Sequence, residues 1–389
     1  MDFATLPLDN NGLERLSDLP DKEVVRLASD ALAVPRTELN SFTLHAPLEL
    51  ASRAATLPFV EDEHRPLARL RIASLAQGFL RSGGPVPATR SAQLDSVDEA
   101  LAMLRSAIDE ANPDQADTAA TWLSQHAQAD EIALAAQGDL LLEMGAAGHA
   151  PILFAAYLRE PDLDPTPMRG TARYLAQSSG IGVEMDWLDL PSRPAGDANQ
   201  LRTALGTIHK TREPGFGIWT LVTDAHKAGL MAGLPRVDDE AIEDGFRTLF
   251  RVAAHSMITD DPDHAAYGWS HALTMPLGLY ETLSTHDRPR EALDVATILS
   301  AGFRLGHGAG PLATDVTSQE AAPRSATELI NAAAIRHDAH LIKFVQACLL
   351  AAAIDPDYDE VYRHAAGHLV DWWIANPPDD DPVAISAEH

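Results

Sequence analysis

The sequence predicts an all-α protein: a single large helical domain over residues 1–376, with a long irregular insertion around 160–220 and an acidic tail, 377–389, expected to be disordered. Three observations predict it. Alanine is abundant and β-branched residues are sparse, which favours helix over strand. Strict apolar–polar alternation, the pattern of a half-buried strand, hardly occurs. Helix starts are also marked chemically, by serines followed three residues later by glutamate.

Taken in chain order, the first such start is Ser96 with Glu99, opening SVDEALAMLRSAIDEA, and Pro113 follows its end. Val97, Leu101, Leu104 and Ile108 fall on one stripe of that helix and should face the core. Pro161, Pro165, Pro167, Pro191 and Pro194 then crowd one stretch, which reads as a long excursion of the kind that often forms a lid or binding loop. The glycine-rich LGHGAGPLATD, 305–315, joins two helical segments, and Ser325 with Glu328 caps the next. No clean linker divides the chain.

The net charge of −28 over 389 residues would repel phosphate backbones and anionic lipid, which argues against nucleic acid and membrane partners. The first twenty residues carry Asp2, Asp9, Glu14 and Asp18 and no apolar core, so no signal peptide is expected. No apolar run reaches the roughly 18 residues of a membrane span. The lone cysteine, Cys348, sits in FVQACLLAAA and reads as a small core residue. A cytoplasmic location is the expectation.

The chemistry-bearing residues are histidines. HAPLELASRAATLPF begins at His45 and HAPILFAAYLREPDL at His149, and both place His-Ala-Pro ahead of an apolar run. HALTMPLGLYETL from His271 has a delayed proline. Proline is best tolerated in a helix's first turn, so each histidine is expected at a helix start. In RHDAHLIKFVQACLL, His340 and Lys343 are three apart and share a helix face. Spacing alone leaves two readings for each. The three histidines are core or cap residues, or they converge on a metal; Lys343 snorkels to solvent or pairs with Asp338, or it is buried as a neutral nucleophilic amine. A neutral amine can take up carbon dioxide and become a carbamate, an anionic oxygen ligand.

The segments HAPLELA, GHAPILFA, WSHALTMPLGL and RHDAHLIKFVQACL resemble the questin oxidase-like proteins. The likeness spans about residues 40–370 and is loose outside those segments; Leu44 stands before His45 where the family usually has asparagine. It implies a helical non-haem iron oxygenase that uses dioxygen to cleave an anthraquinone-type aromatic polyketide, an enzyme of secondary metabolism, with NADPH as reductant in some members. It further implies a mononuclear Fe2+ held by His45, His149, His271 and His340, with Lys343 as a carboxylated ligand. Asp338 and Glu49 are expected to hydrogen-bond the ligand imidazoles. Trp187, Phe216, Trp219 and Trp269 are candidates to stack on a flat substrate, with ordinary core packing as the rival role for each.

Two other classes compete. His337–Asp338 is an HD pair of the kind helical metal-dependent phosphohydrolases use, and His286–Asp287 is a second. A non-catalytic helical scaffold with incidental histidines is the third reading, although the His-Ala-Pro recurrence is too widely spaced for a repeat array. His364 and His368 are four apart but have no intervening glutamate, so the zinc-protease motif is missing. Walker, Rossmann and serine-elbow motifs are absent as well.

Overall fold

The computed structural model describes residues 2–87, 93–135, 145–160, 164–178, 193–210, 218–260, 268–282, 289–312, 322–379 and 381–383. It is all-α, as the composition predicts. The α-helices are α1 (Asn10–Ser17), α2 (Asp21–Leu32), α3 (Ser41–Thr56), α4 (Arg65–Arg81), α5 (Val97–Asp109), α6 (Pro113–His126), α7 (Ala129–Ala135), α8 (Gly145–Arg159) and α9 (Met168–Ser178). They continue with α10 (Ala198–Thr207), α11 (Ile218–Lys227), α12 (Ile242–Thr259), α13 (Ser270–Thr282), α14 (Pro289–His307), α15 (Ala326–Ala334), α16 (Ala339–Ile354) and α17 (Asp359–Ala375). Among the described residues the sheet is one parallel pair, β1 (Ala195–Gly196) on β2 (Arg236–Val237). No described helix is long and apolar enough to cross a membrane.

Local chemistry sets the helix starts. Ser325 and Glu328 form the full reciprocal capping box. At α5 only half of it forms: Ser96 accepts the Glu99 N–H, while the Glu99 carboxylate takes the Asp95 N–H at 2.8 Å. Leu101, Leu104 and Ile108 are buried as their stripe requires. The excursion around 160–220 is more helical than expected, since α9 and α10 lie within it and α11 begins near its end. Within the acidic tail, two residues meet the helical body while Pro377, Asp379 and Pro382 are exposed. Asp381 meets Arg71 at 2.7 Å and Val383 packs in the core, because a buried guanidinium needs a carboxylate partner.

Four helices form the centre, and they neighbour one another in a closed ring: α3 on α8, α8 on α13, α13 on α16, and α16 back on α3. In each, a histidine sits within the first five residues and later turns line one cleft. The four therefore run in the same direction, with their N-terminal ends gathered at one level. Parallel neighbours cannot be joined by short loops, so the remaining helices serve as long return paths around the ring. At Gly278 of α13, an added Cβ would lie 2.9 Å from the backbone oxygen of Pro151, so glycine is what lets α13 and α8 approach this closely.

Candidate metal centre

The histidines lie inside their helices rather than ahead of them. His45 is the fifth residue of α3 and His149 the fifth of α8, while His271 and His340 are the second residues of α13 and α16. Pro47 consequently occupies a second-turn position, not the first turn that the sequence suggests, whereas in α8 Gly148, at φ +76°, interrupts the α conformation just before His149 and Pro151 falls in the first regular turn after it. Pro47 has no N–H for the Thr43 carbonyl, and an Asn40–Thr43 capping box holds the start of α3 instead. Ahead of His271, residues 268 and 269 form a π-helical turn, a distortion that often marks functional sites.

The four rings converge. His45, His149, His271 and His340 are 5%, 2%, 8% and 5% exposed. The Nε2 atoms of His149 and His45 are 3.0 Å apart, and those of His271 and His149 are 3.4 Å apart. One donor atom from each of these three rings lies within 4.8 Å of the other two. His340 closes the fourth side, its ring centroid 4.5 Å from that of His45 and 5.1 Å from that of His271. The tight donor set is thus the triad, with His340 against it.

These separations suit a metal. Two imidazole nitrogens about 2.1 Å from one ion, at a right angle or somewhat wider, are about 3.0–3.4 Å apart. The tautomer of His45 agrees, since its Nδ1–H donates to the Ser41 carbonyl at 2.6 Å and its Nε2 lone pair is left facing the cluster. Protonation is also suppressed. Burial pushes His45 well below the ordinary imidazole range, with further contributions from Lys343 and the other three rings. Burial, and then Lys343, does the same to His340. Neutral rings are the ligand-competent form.

Lys343 lies one turn beyond His340, as the spacing predicts, and is 4% exposed. It neither snorkels nor pairs: its Nζ has no hydrogen-bond partner among the described residues. Burial pulls its pKa from 10.5 to about 8, while the charges of Asp338 and Glu49 hold it up. The site therefore brings together buried imidazoles, the positive ends of helix dipoles and an unpartnered amine, with the Asp338 and Glu49 carboxylates acting on that amine.

The supporting residues differ in part from expectation. Asp338 caps α16 by accepting the Leu341 N–H at 2.8 Å, and its Oδ1 is 3.7 Å from the Nδ1 of His340. Burial raises its pKa to about 6. Glu49 binds Arg53, whose Nε donates to it at 2.7 Å, while His45 takes its partner from its own helix at Ser41. Arg53 is the residue that sequence reasoning missed. Its other nitrogens donate to the Ala334 and Arg336 carbonyls at 2.9 and 2.8 Å, which ties α3 to the turn before α16.

Of the four aromatic candidates, Trp269 is the one whose side chain is described. Trp269 is 1% exposed and packs near His307 and Arg304, with ring centroids 6.0 Å apart for the first pair. Trp187 and Phe216 lie outside the described residues, as does the side chain of Trp219 in α11. Among the described residues, His337 joins no cluster of metal-donor groups, and neither do His364 and His368. Glu61, Glu63 and His64 form a second donor group at the surface, where Glu61 is engaged by Asn331 at 2.6 Å.

Three buried imidazoles, from His45, His149 and His271, thus form a group that could hold a metal ion, in a ring of parallel helices and with His340 against it. No protein-family model, curated protein or solved structure matches the chain.

Proposed function

We propose that the chain is a metal-dependent oxygenase, in which His45, His149, His271 and His340 hold one non-haem Fe2+ and Lys343 contributes an oxygen donor as a carbamate. The observation that carries this reading is the approach of three Nε2 atoms to 3.0 and 3.4 Å in a buried site. Imidazole suits iron, and one anionic donor favours the oxidised metal. Bound iron would supply the site with dioxygen binding and electron transfer.

The protein's own residues have separable tasks in this reading. Ser41 fixes the ring of His45 and directs its Nε2. The Glu49–Arg53 pair keeps α3 in register with α16 and places a negative charge near Lys343. Burial disfavours protonation of His45 and His340 and excludes bulk water from all four rings. The substrate class, a flat anthraquinone-type polyketide cleaved oxidatively, rests on the family resemblance, as does NADPH as the reductant.

The test is anaerobic reconstitution with Fe2+, followed by oxygen-uptake measurements with a panel of hydroxyanthraquinones, with and without NADPH. Stoichiometric iron with substrate-dependent oxygen consumption is the expected result. Phosphate release from phosphomonoesters without oxygen uptake would move the assignment to a phosphohydrolase. Absence of both, with no metal retained, would leave the scaffold reading.

A further inference from the structure

The turn between α15 and α16, residues 335–338, leads directly into the helix that carries His340 and Lys343. A helix leaves its last carbonyls without intrahelical partners, and water or a cap usually takes them. Here five successive carbonyls are taken by the protein itself. Ala332 accepts from the Arg336 guanidinium, and Ala333 from the Ile335 and Arg336 N–H groups. Ala334 and Arg336 accept from the two Nη atoms of Arg53 at 2.9 and 2.8 Å, and Ile335 accepts from the Nε of Arg71 at 2.8 Å. Arg53 and Arg71 come from α3 and α4, and both are buried.

Arg71 is itself held from its other end. Its two Nη atoms donate to both oxygens of Asp381, with Nη2 at 2.7 Å from Oδ2, a paired geometry that fixes the direction of a guanidinium as well as its place. Asp381 Oδ1 also accepts the Val383 N–H at 3.0 Å, and Val383 is buried. One buried side chain thus joins segment 381–383 to the residues that precede His340. Asp338, the last residue of the turn, is the N-cap of α16, and His340 follows two residues later on the rigid first turn of that helix.

We propose that Arg71 and Asp381 are positioning residues of the histidine site. Through the turn they fix where α16 starts, and so where His340 meets His45 and His271, and segment 381–383 acts as a strap that sets metal affinity from outside the cluster. The inference deepens the metal-centre reading and rests on it for the ion. The hold on the turn can be tested without metal.

Asp381→Asn removes the charge and keeps the shape. Arg71→Lys keeps the charge and loses the planar fork, so it cannot serve Ile335 and Asp381 together. In metal-free protein, hydrogen exchange at the amides of residues 337–343 should quicken about tenfold or more in both variants, while the amides of Leu273 and Met275 in α13 keep their wild-type rates. In protein loaded with Co2+, affinity should fall about tenfold and the visible absorption of the ion should change, because a displaced His340 alters the ligand geometry. Asp379→Asn, at an exposed acid of the same tail, is the control and should change neither. Wild-type exchange at residues 337–343 in both variants would overturn the inference, as would an equal rise across α13, which would be a general loss of stability. Co2+ affinity and absorption identical to wild type in both variants would overturn it too. If exchange at the turn responds as expected but the wild type binds no Co2+, the metal reading fails and the hold on His340 stands.

Discussion

Replacing Lys343 by methionine removes a buried amine and keeps the length and much of the volume of the side chain. In the metal-free protein the amine is costly. Its pKa falls from 10.5 to about 8 on burial, and at about 1.4 kcal/mol per unit that is about 3 kcal/mol of lost stability wherever the lysine is protonated in both states. The sign follows from proton counts. Between about pH 8 and 10.5 the unfolded chain holds the lysine proton and the folded chain does not, so stability rises with pH across that window; below pH 8 the full cost remains. Lys343→Met should therefore stabilise the chelator-treated protein at pH 7 and abolish the rise between pH 8 and 10. With a urea slope of about 3 kcal/mol per M, the midpoint should move up by about 1 M. The same variant should lose metal affinity, because the carbamate can no longer form. Urea titrations of metal-free wild type and variant, at half-unit pH steps from 7 to 10.5, read both effects. A flat wild-type profile, or a variant less stable at pH 7, would refute the placement of Nζ in an apolar, unpartnered position.

Three further outcomes follow from the same geometry. Gly278→Ala places a Cβ 2.9 Å from the Pro151 oxygen, forcing α13 away from α8 and His271 from His149; metal affinity should fall by about 10–100-fold, read by competition with a chelating dye. Arg53→Met leaves the buried Glu49 carboxylate without its partner and should cost about 3–5 kcal/mol in a urea titration, a loss that Glu49→Gln in the same chain should partly reverse. The Ser41 carbonyl holds His45 Nδ1 at 2.6 Å and its hydroxyl lies farther off at 3.3 Å, so Ser41→Ala should leave metal content close to wild type, whereas His45→Ala should not.

What was legible in the sequence is what short-range chemistry dictates. Helix content followed from alanine and from Ser–Glu capping pairs, and the shared face of His340 and Lys343 followed from helical spacing. The recurrence of His-Ala-Pro marked two of the four central helices. Of the two, only α3 starts ahead of its expected position, because its proline lies in the second turn; regular helix in α8 begins at His149, after the left-handed Gly148. In α3 the chain instead uses Asn40 and Thr43, a box whose threonine replaces the expected glutamate or glutamine. Arg53 and Ser41 were not legible. The Arg53 bonds to carbonyls of residues distant in sequence leave no signature, although its i,i+4 pairing with Glu49 does; Ser41 offers chiefly its own carbonyl. Glu49 looked like a partner for an imidazole because it lies one turn from His45; the buried guanidinium of Arg53, also one turn away, makes the stronger claim on a carboxylate. The cleft among the later turns of the central helices could not be foreseen either, since its lining, from Leu48 to Leu350, comes from four helices distant in sequence.

The claim on which the rest depends is that the four buried imidazoles hold a metal ion, and elemental analysis of protein purified without chelators and then offered Fe2+ tests it most directly. Close to one iron per chain is expected, lost in His149→Ala and His271→Ala while helical circular dichroism is retained. That claim is contradicted if the wild type binds no metal and unfolds identically with and without a chelator.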